Sequence, residues 1–127
     1  MTTSEARILY KELSYEIINA AFAVHNSLGP GFSERIYEEA LRLELQQRNI
    51  MFERQKPINV YYRDVKIGEY VLDVVVAGKV ILELKATTEH NSLFQAKLYS
   101  YLKATGLRLG LLINFGMQKL SHKRVVN

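Results

Sequence analysis

A chain of 127 residues that is 48% hydrophobic and 24% charged has the make-up of one globular domain, spanning 1–127, with enough apolar material for a real core. Its net charge of +4 and pI of about 9.3 permit a polyanionic partner without requiring one. The absence of cysteine excludes disulfides, thiol catalysis and thiolate zinc sites, and the absence of any apolar run near the ~20 residues of a bilayer span predicts no membrane partner. The opening Met1-Thr2-Thr3-Ser4-Glu5-Ala6-Arg7 lacks the apolar segment of a signal peptide, so the expected location is cytoplasmic.

In chain order, apolar residues at Ile8, Leu9, Leu13, Ile17, Ala20, Ala21, Val24 and Leu28 recur at helical spacing and predict a helix over about 5–27, with Ser4 as N-cap. Gly29, Pro30 and Gly31 end it. A second helix is expected from about Ser33 to Arg48, with Ile36, Tyr37, Ala40, Leu41 and Leu45 inward. Strands follow near 50–54 and 57–63, and then the arms of a hairpin over 66–76 and 79–86. A third helix runs from Ser92 to Ala104, with Leu93, Phe94, Ala96, Leu98, Tyr101 and Leu102 on its apolar side and Gly106 at C′. Leu107–Phe115 reads as a buried strand, and a polar, basic tail ends in Lys123-Arg124-Val125-Val126-Asn127. Helices at both ends of a strand-rich middle give an α/β (α+β layered) fold.

The hairpin carries the strongest chemical signal. If its turn centres on Gly78, paired positions sum to 156 and Asp73 faces Glu83, with Lys85 two residues further on the same face. Two carboxylates that close repel unless a shared proton or a cation relieves them, and a divalent ion does so well. The bland reading is a solvated face of cross-strand ion pairs. Against it stand Val74-Val75-Val76 and Val80-Ile81-Leu82, near-continuous runs that suggest strands buried on both faces, where acids are rare unless paired or liganded. A two-residue turn would instead place Asp73 opposite Leu84 or Leu82.

The other candidates each admit two readings. Glu34 opens the second helix, either as a third carboxylate for the site or as a complement to the helix dipole. Tyr37, one turn on, orients that carboxylate or fills the core. Gln95 and Tyr99 share a face of the third helix: Gln95 contacts a phosphate or water near Lys85 with Tyr99 packed beneath, or both form a polar helix edge. His25 is a site residue or a dipole partner at a helix end. His90 and His122 read as loop residues, and no zinc spacing is present. Tyr61-Tyr62-Arg63 is a nucleic-acid contact or a solvated hairpin tip. Phosphate loops, dinucleotide fingerprints and nucleophile elbows are absent.

Taken together, Gly31-x-x-Glu34-x-x-Tyr37, Asp73, Glu83-Leu84-Lys85 and Gln95-x-x-x-Tyr99 resemble the GxxExxY family of the PD-(D/E)XK nuclease superfamily, from about residue 10 onward. The resemblance implies a restriction-endonuclease-like core, a mixed central sheet flanked by helices. It implies Mg²⁺ or Mn²⁺ on Asp73, Glu83 and the Leu84 carbonyl, with Glu34 directly or through water. Lys85 would orient or activate the attacking water, Gln95 and Tyr99 would match an exonuclease-like motif, and His25, Gly31 and Tyr37 would support the site. The family position two before the aspartate is often basic and is Val71 here. The expected activity is metal-dependent hydrolysis of nucleic acid, DNA before RNA. The alternatives are a non-catalytic nucleic-acid-binding or protein-interaction module and a homo-oligomeric structural protein.

Overall fold

The computed structural model describes residues 9–127, so the expected N-cap Ser4 and the inward Ile8 lie outside the described residues. Eight elements follow in order: α1 (Lys11–Leu28), α2 (Glu34–Gln47), β1 (Phe52–Tyr62), β2 (Val65–Val76), β3 (Val80–Lys85), α3 (Ser92–Thr105), β4 (Leu109–Asn114) and β5 (Ser121–Val126). The strands form one sheet in the order β1-β2-β3-β4-β5, antiparallel except for the parallel pair β3 and β4 that α3 connects. No helix among the described residues is long and apolar enough to cross a membrane.

Each sheet face buries the apolar stripe of a helix. On one face Ile17, Ala20, Ala21 and Val24 of α1 and Tyr37, Leu41 and Leu45 of α2 pack on Val74, Val76, Val80, Leu82, Leu84, Leu111 and Ile113. On the other, Leu98 and Leu102 of α3 meet Leu72, Val75, Ile81 and Val125. Double coverage is why β3 reads as an unbroken apolar run up to Glu83. Full burial of each such aliphatic side chain contributes roughly 1.5–3 kcal/mol. Gly110 allows α3 to approach β4 closely, because a Cβ there would lie 2.8 Å from Leu98 side-chain carbons.

Four expectations are corrected. The strands near 50–54 and 57–63 are one strand, β1, carried through Pro57 because β1 is a sheet edge and needs no amide donor on its open side. The basic tail is the edge strand β5, whose Arg124 guanidinium donates to Ser14 Oγ (2.7 Å) and to the Leu9 carbonyl (2.5 Å), tying the last strand to the start of α1. Consequently His122 is a strand residue, edge-on to Phe22. Ile36 and Leu93 are exposed, at 44% and 61%, since each lies in the first turn of its helix, beyond the sheet.

Candidate active site

Asp73 sits where β2 loses regular pairing on both sides. Towards β1 the ladder runs Arg54↔Val74 and Lys56↔Leu72, and the intervening Gln55 has a left-handed φ of 50°. Towards β3 the pairs Val76↔Val80, Val75↔Ile81 and Val74↔Leu82 keep the sum of 156 expected from a turn at Gly78, and there they stop. Leu72 packs on the α3 side together with Val75, whereas Val74 packs on the opposite face. Strict alternation would put Leu72 with Val74, so β2 is irregular at Asp73. Its Oδ2 accepts the Leu84 amide at 3.0 Å, replacing the ladder bond that the parting strands give up.

Glu83 and Lys85 alternate with the core residues Leu82 and Leu84, and so point to the α3 face with Ile81. The Lys85 ammonium lies 4.6 Å from the centre of the Phe94 ring on α3, a cation–π contact that holds it beside the acids. Burial, a hydrogen bond to Asp73 and the charge of Asp73 push the Glu83 carboxyl up to about 8; Lys85 partly opposes the rise and Glu34 adds slightly to it. At neutral pH the protonated form of Glu83 is therefore favoured beside Asp73. Next to them stands a pair unforeseen from sequence: the Tyr101 hydroxyl donates to that of Tyr70 at 2.6 Å, with ring centres 4.6 Å apart. Burial and that bond, then the charge of Glu83, raise the Tyr101 hydroxyl.

On the α2 side a cleft of about 720 Å³ is lined by Glu34, Arg35, Glu38, Glu39, Arg54, Gln55, Asp73 and Leu84. Glu34 is the first residue of α2, as expected, and exposed. Arg54 bonds Glu39 at 2.6 Å and Glu38 at 3.3 Å, and Gln55 bonds Glu38 at 2.8 Å. Hydrogen bonds from Arg54 and Arg42 lower the Glu39 carboxyl, while burial raises that of Glu38 against the pull of Gln55 and Arg54. Arg54, Gln55 and Glu38 were invisible as site residues, because only the α2–β1 packing brings them to Asp73. Among the described residues no three of His, Asp and Glu come together closely enough to hold an ion, so Glu34 shares the cleft with Asp73 without closing a cage around a site.

Tyr37 and His25 build the scaffold. Tyr37 is fully buried and stacks on Phe115 with centres 4.7 Å apart; its hydroxyl donates to the Gly29 carbonyl and accepts the Phe32 amide at 3.1 Å. It thereby fixes the 29–32 turn, Gly31 included, that aims the start of α2. His25 Nε2 lies 2.9 Å from the Met117 carbonyl, so it ties α1 to the loop after β4 and stays clear of the acids. That loop crosses the one after β3 at Gly116, where a Cβ would lie 2.3 Å from the Thr87 nitrogen. Asn114 Oδ1 accepts the amides of Thr87 (3.1 Å) and Gly116 (3.0 Å) to hold the crossing.

Gln95 lines a pocket with Lys85, but Tyr99 does not pack beneath it. Tyr99 is 42% exposed, with the Lys103 ammonium over its ring, because the core stripe of α3 runs through Leu98 and Leu102. Gln95 and Tyr99 instead line a shallow groove along α3 against Val125 and Val126.

A family model described as the PD-(D/E)XK nuclease superfamily matches residues 11–125. Among solved structures, the crystal structure of the protein designated SSO0001 is similar with a TM-score of 0.58 at 15% sequence identity, over 95% of this chain and 61% of that one. The chain therefore spans less than two thirds of that protein, and the likeness is one of fold alone. Comparison with curated proteins gives no match.

Proposed function

The chain belongs to the PD-(D/E)XK nuclease superfamily, and on that premise we propose that it is a divalent-metal-dependent nuclease hydrolysing phosphodiester bonds, in DNA before RNA. Within the superfamily we assign it to the GxxExxY family, on Gly31, Glu34 and Tyr37. The observation that carries the reading is the juxtaposition of the half-buried Asp73 and Glu83 carboxyls, with the Lys85 ammonium on the same strand face as Glu83.

The donor set fits Mg²⁺ or Mn²⁺: two neighbouring carboxylates, one of them raised by burial and by the other, beside an open cleft that admits water and phosphate. Asp73, Glu83 and the Leu84 carbonyl would hold the ion, with Glu34 reaching it through water. When bound, such an ion supplies Lewis acidity for water and phosphate. The chain's residues do the rest. Glu83, with its proton released, would serve as a ligand, and Asp73 is kept in place by the Leu84 amide. Lys85, steadied by Phe94, opposes the charge that builds on the phosphate as water oxygen bonds to phosphorus and a phosphorus–oxygen ester bond breaks. Gln95 offers its carboxamide to the same phosphate, and Tyr99 borders the groove along which the strand would leave.

The test uses a labelled DNA oligonucleotide with Mg²⁺, Mn²⁺ or chelator. Cutting is expected only with metal, and Glu83→Ala and Lys85→Ala should each reduce it by about 10³-fold or more. Cutting that survives chelation or both substitutions sinks the proposal. The two-carboxylate geometry, with no third close ligand among the described residues, favours as second reading a nucleic-acid-binding module without turnover. Calorimetry separates them: no saturable Mn²⁺ binding supports the module.

A further inference from the structure

The second cavity at this site has a different chemistry from the first. About 180 Å³ in volume, it lies between the start of α3 and the β4–β5 pair, lined by Lys85, His90, Asn91, Ser92, Phe94, Gln95, Leu112, Asn114, Ser121 and Lys123. Strand register explains the convergence. Gly110 faces Leu98 of α3, so Leu112 and Asn114 share that face, and their neighbours across the sheet are Glu83 with Lys123 and Lys85 with Ser121. Two ammonium-bearing side chains from strands β3 and β5 thus flank one hollow, with the Ser121 and Ser92 hydroxyls and the His90 ring around it. Among the described residues no carboxylate lines it. Neither Lys85 nor Lys123 makes an ion pair with the described residues; the ion pairs there join residues between Glu38 and Glu69.

The wider charge pattern points the same way. Residues 85–127 carry seven Lys and Arg against the single acid Glu89, a net +6, while residues 1–84 are net −2. The basic excess therefore gathers on the α3–β5 part of the fold, beside the acids. Lysines that make no ion pair with the described residues, around a small polar hollow, suit an anion, and a phosphate group satisfies donors of this kind by charge-assisted hydrogen bonds.

We propose that this pocket binds a phosphate of a nucleic-acid strand, a second one beside the phosphate placed at Asp73, Glu83 and Lys85, with Lys123 as its principal cation. The proposal rests on the nuclease reading only in taking nucleic acid as ligand. Binding, not cutting, is what the test reads.

The experiment measures fluorescence anisotropy of a 3′-labelled single-stranded DNA 12-mer, in chelator, with and without a 5′-phosphate, against the intact protein and Lys123→Ala, His90→Ala and Lys79→Ala. Lys79 lies in the β2–β3 turn, away from the pocket, and controls for loss of any one charge. Lys123→Ala should weaken binding about tenfold and lower the slope of log affinity against log salt by about 0.7, one phosphate contact on a single strand. His90→Ala should weaken it less, and Lys79→Ala should stay within about twofold. A thermal melt confirms that each variant folds. If the Lys123 effect appears only with the 5′-phosphorylated strand, the pocket holds a terminal phosphate; if with both strands, an internal one. Equal losses from Lys123→Ala and Lys79→Ala, or none from either, overturn the proposal. A protein that never cuts yet shows the selective Lys123 loss refutes the nuclease reading and keeps this one.

Discussion

The two sides of the Glu83 carboxyl are built on opposite electrostatic plans. On the α2–β1 side, Glu34, Glu38, Glu39 and Asp73 line the cleft, and Arg54 and Gln55 occupy two of those glutamates. On the α3–β5 side, Lys85 and Lys123 flank a pocket without an acid. A surface selected for stability alone would cross-pair these charges over the strand. Their separation instead creates a field that draws a cation to one side and an anion to the other, which is what cutting a phosphodiester with a divalent ion requires.

The largest effect should come from the group at the boundary. The Glu83 carboxyl is pushed up to about 8 in the fold against 4.5 for a free glutamate, so the metal-free protein in chelator should favour its protonated form. A raised folded value contributes stability that is fully present below about 4.5 and is lost as pH climbs through about 8. That loss is about 5 kcal/mol at most. Glu83→Gln, neutral at every pH, should flatten the dependence and leave the variant the more stable at pH 8. Urea unfolding at pH 5 and pH 8 in chelator reads this directly, and equal pH dependence for both proteins would refute the raised Glu83 carboxyl. Binding of Mn²⁺ should release a proton below pH 8, so its stabilising effect should grow with pH.

Next in size is Gly116→Ala, which sharpens the contrast by disturbing the basic side first. Its methyl would collide with the Ala86 and Thr87 backbone, atoms that cannot swing aside like the end of a side chain. Prising the crossed loops apart should cost about 3 kcal/mol in thermal or urea unfolding. It should also shift the 86–91 segment that carries His90 to the pocket. A variant as stable as the parent would show that the crossing yields more easily than its geometry suggests.

Much of the acid pair was legible in sequence because its register is local. A turn at Gly78 fixes the sum of 156, the ladder keeps it to Val74↔Leu82, and alternation then puts Glu83 and Lys85 on one face. The irregularity at Asp73 was not legible, since it depends on Gln55 taking a left-handed φ, a conformation uncommon for a glutamine. β5 was missed for a related reason. Ser121-His122-Lys123-Arg124 carries the charge of a tail, and only pairing with β4 and the bonds of Arg124 to α1 make it a strand. Tyr70 and Tyr101 are 31 residues apart and meet only after the third helix has folded onto the sheet.

On the acidic side, Tyr37→Phe tests whether the buried hydroxyl aims α2. The ring would keep its stack on Phe115, while the Gly29 carbonyl and Phe32 amide would lose their partner. The half-exposed turn lets water repair part of that loss, so about 1–2 kcal/mol is expected from unfolding curves. Metal-dependent cutting should fall further than stability does, because Glu34 rides on the turn that Tyr37 fixes. Unchanged activity with lowered stability would make Tyr37 a packing residue only.

The smallest expected change, and the one most diagnostic of the division between the two sides, is Arg54→Ala. Arg54 is partly exposed and makes two carboxylate contacts, so screening limits its stabilising effect to under about 1 kcal/mol. Its electrostatic effect has a definite sign. Removing this guanidinium leaves Glu38 and Glu39 less compensated around the cleft that holds Asp73 and Glu34. The cleft then becomes more negative, and Mn²⁺ affinity by calorimetry should rise a few-fold. Lys123→Ala, on the far side of Glu83, should leave that affinity nearly unaltered while it weakens the oligonucleotide. If Arg54→Ala instead weakens the metal, the guanidinium is positioning the carboxylates rather than competing with the cation, and the acidic side owes its character to geometry more than to charge.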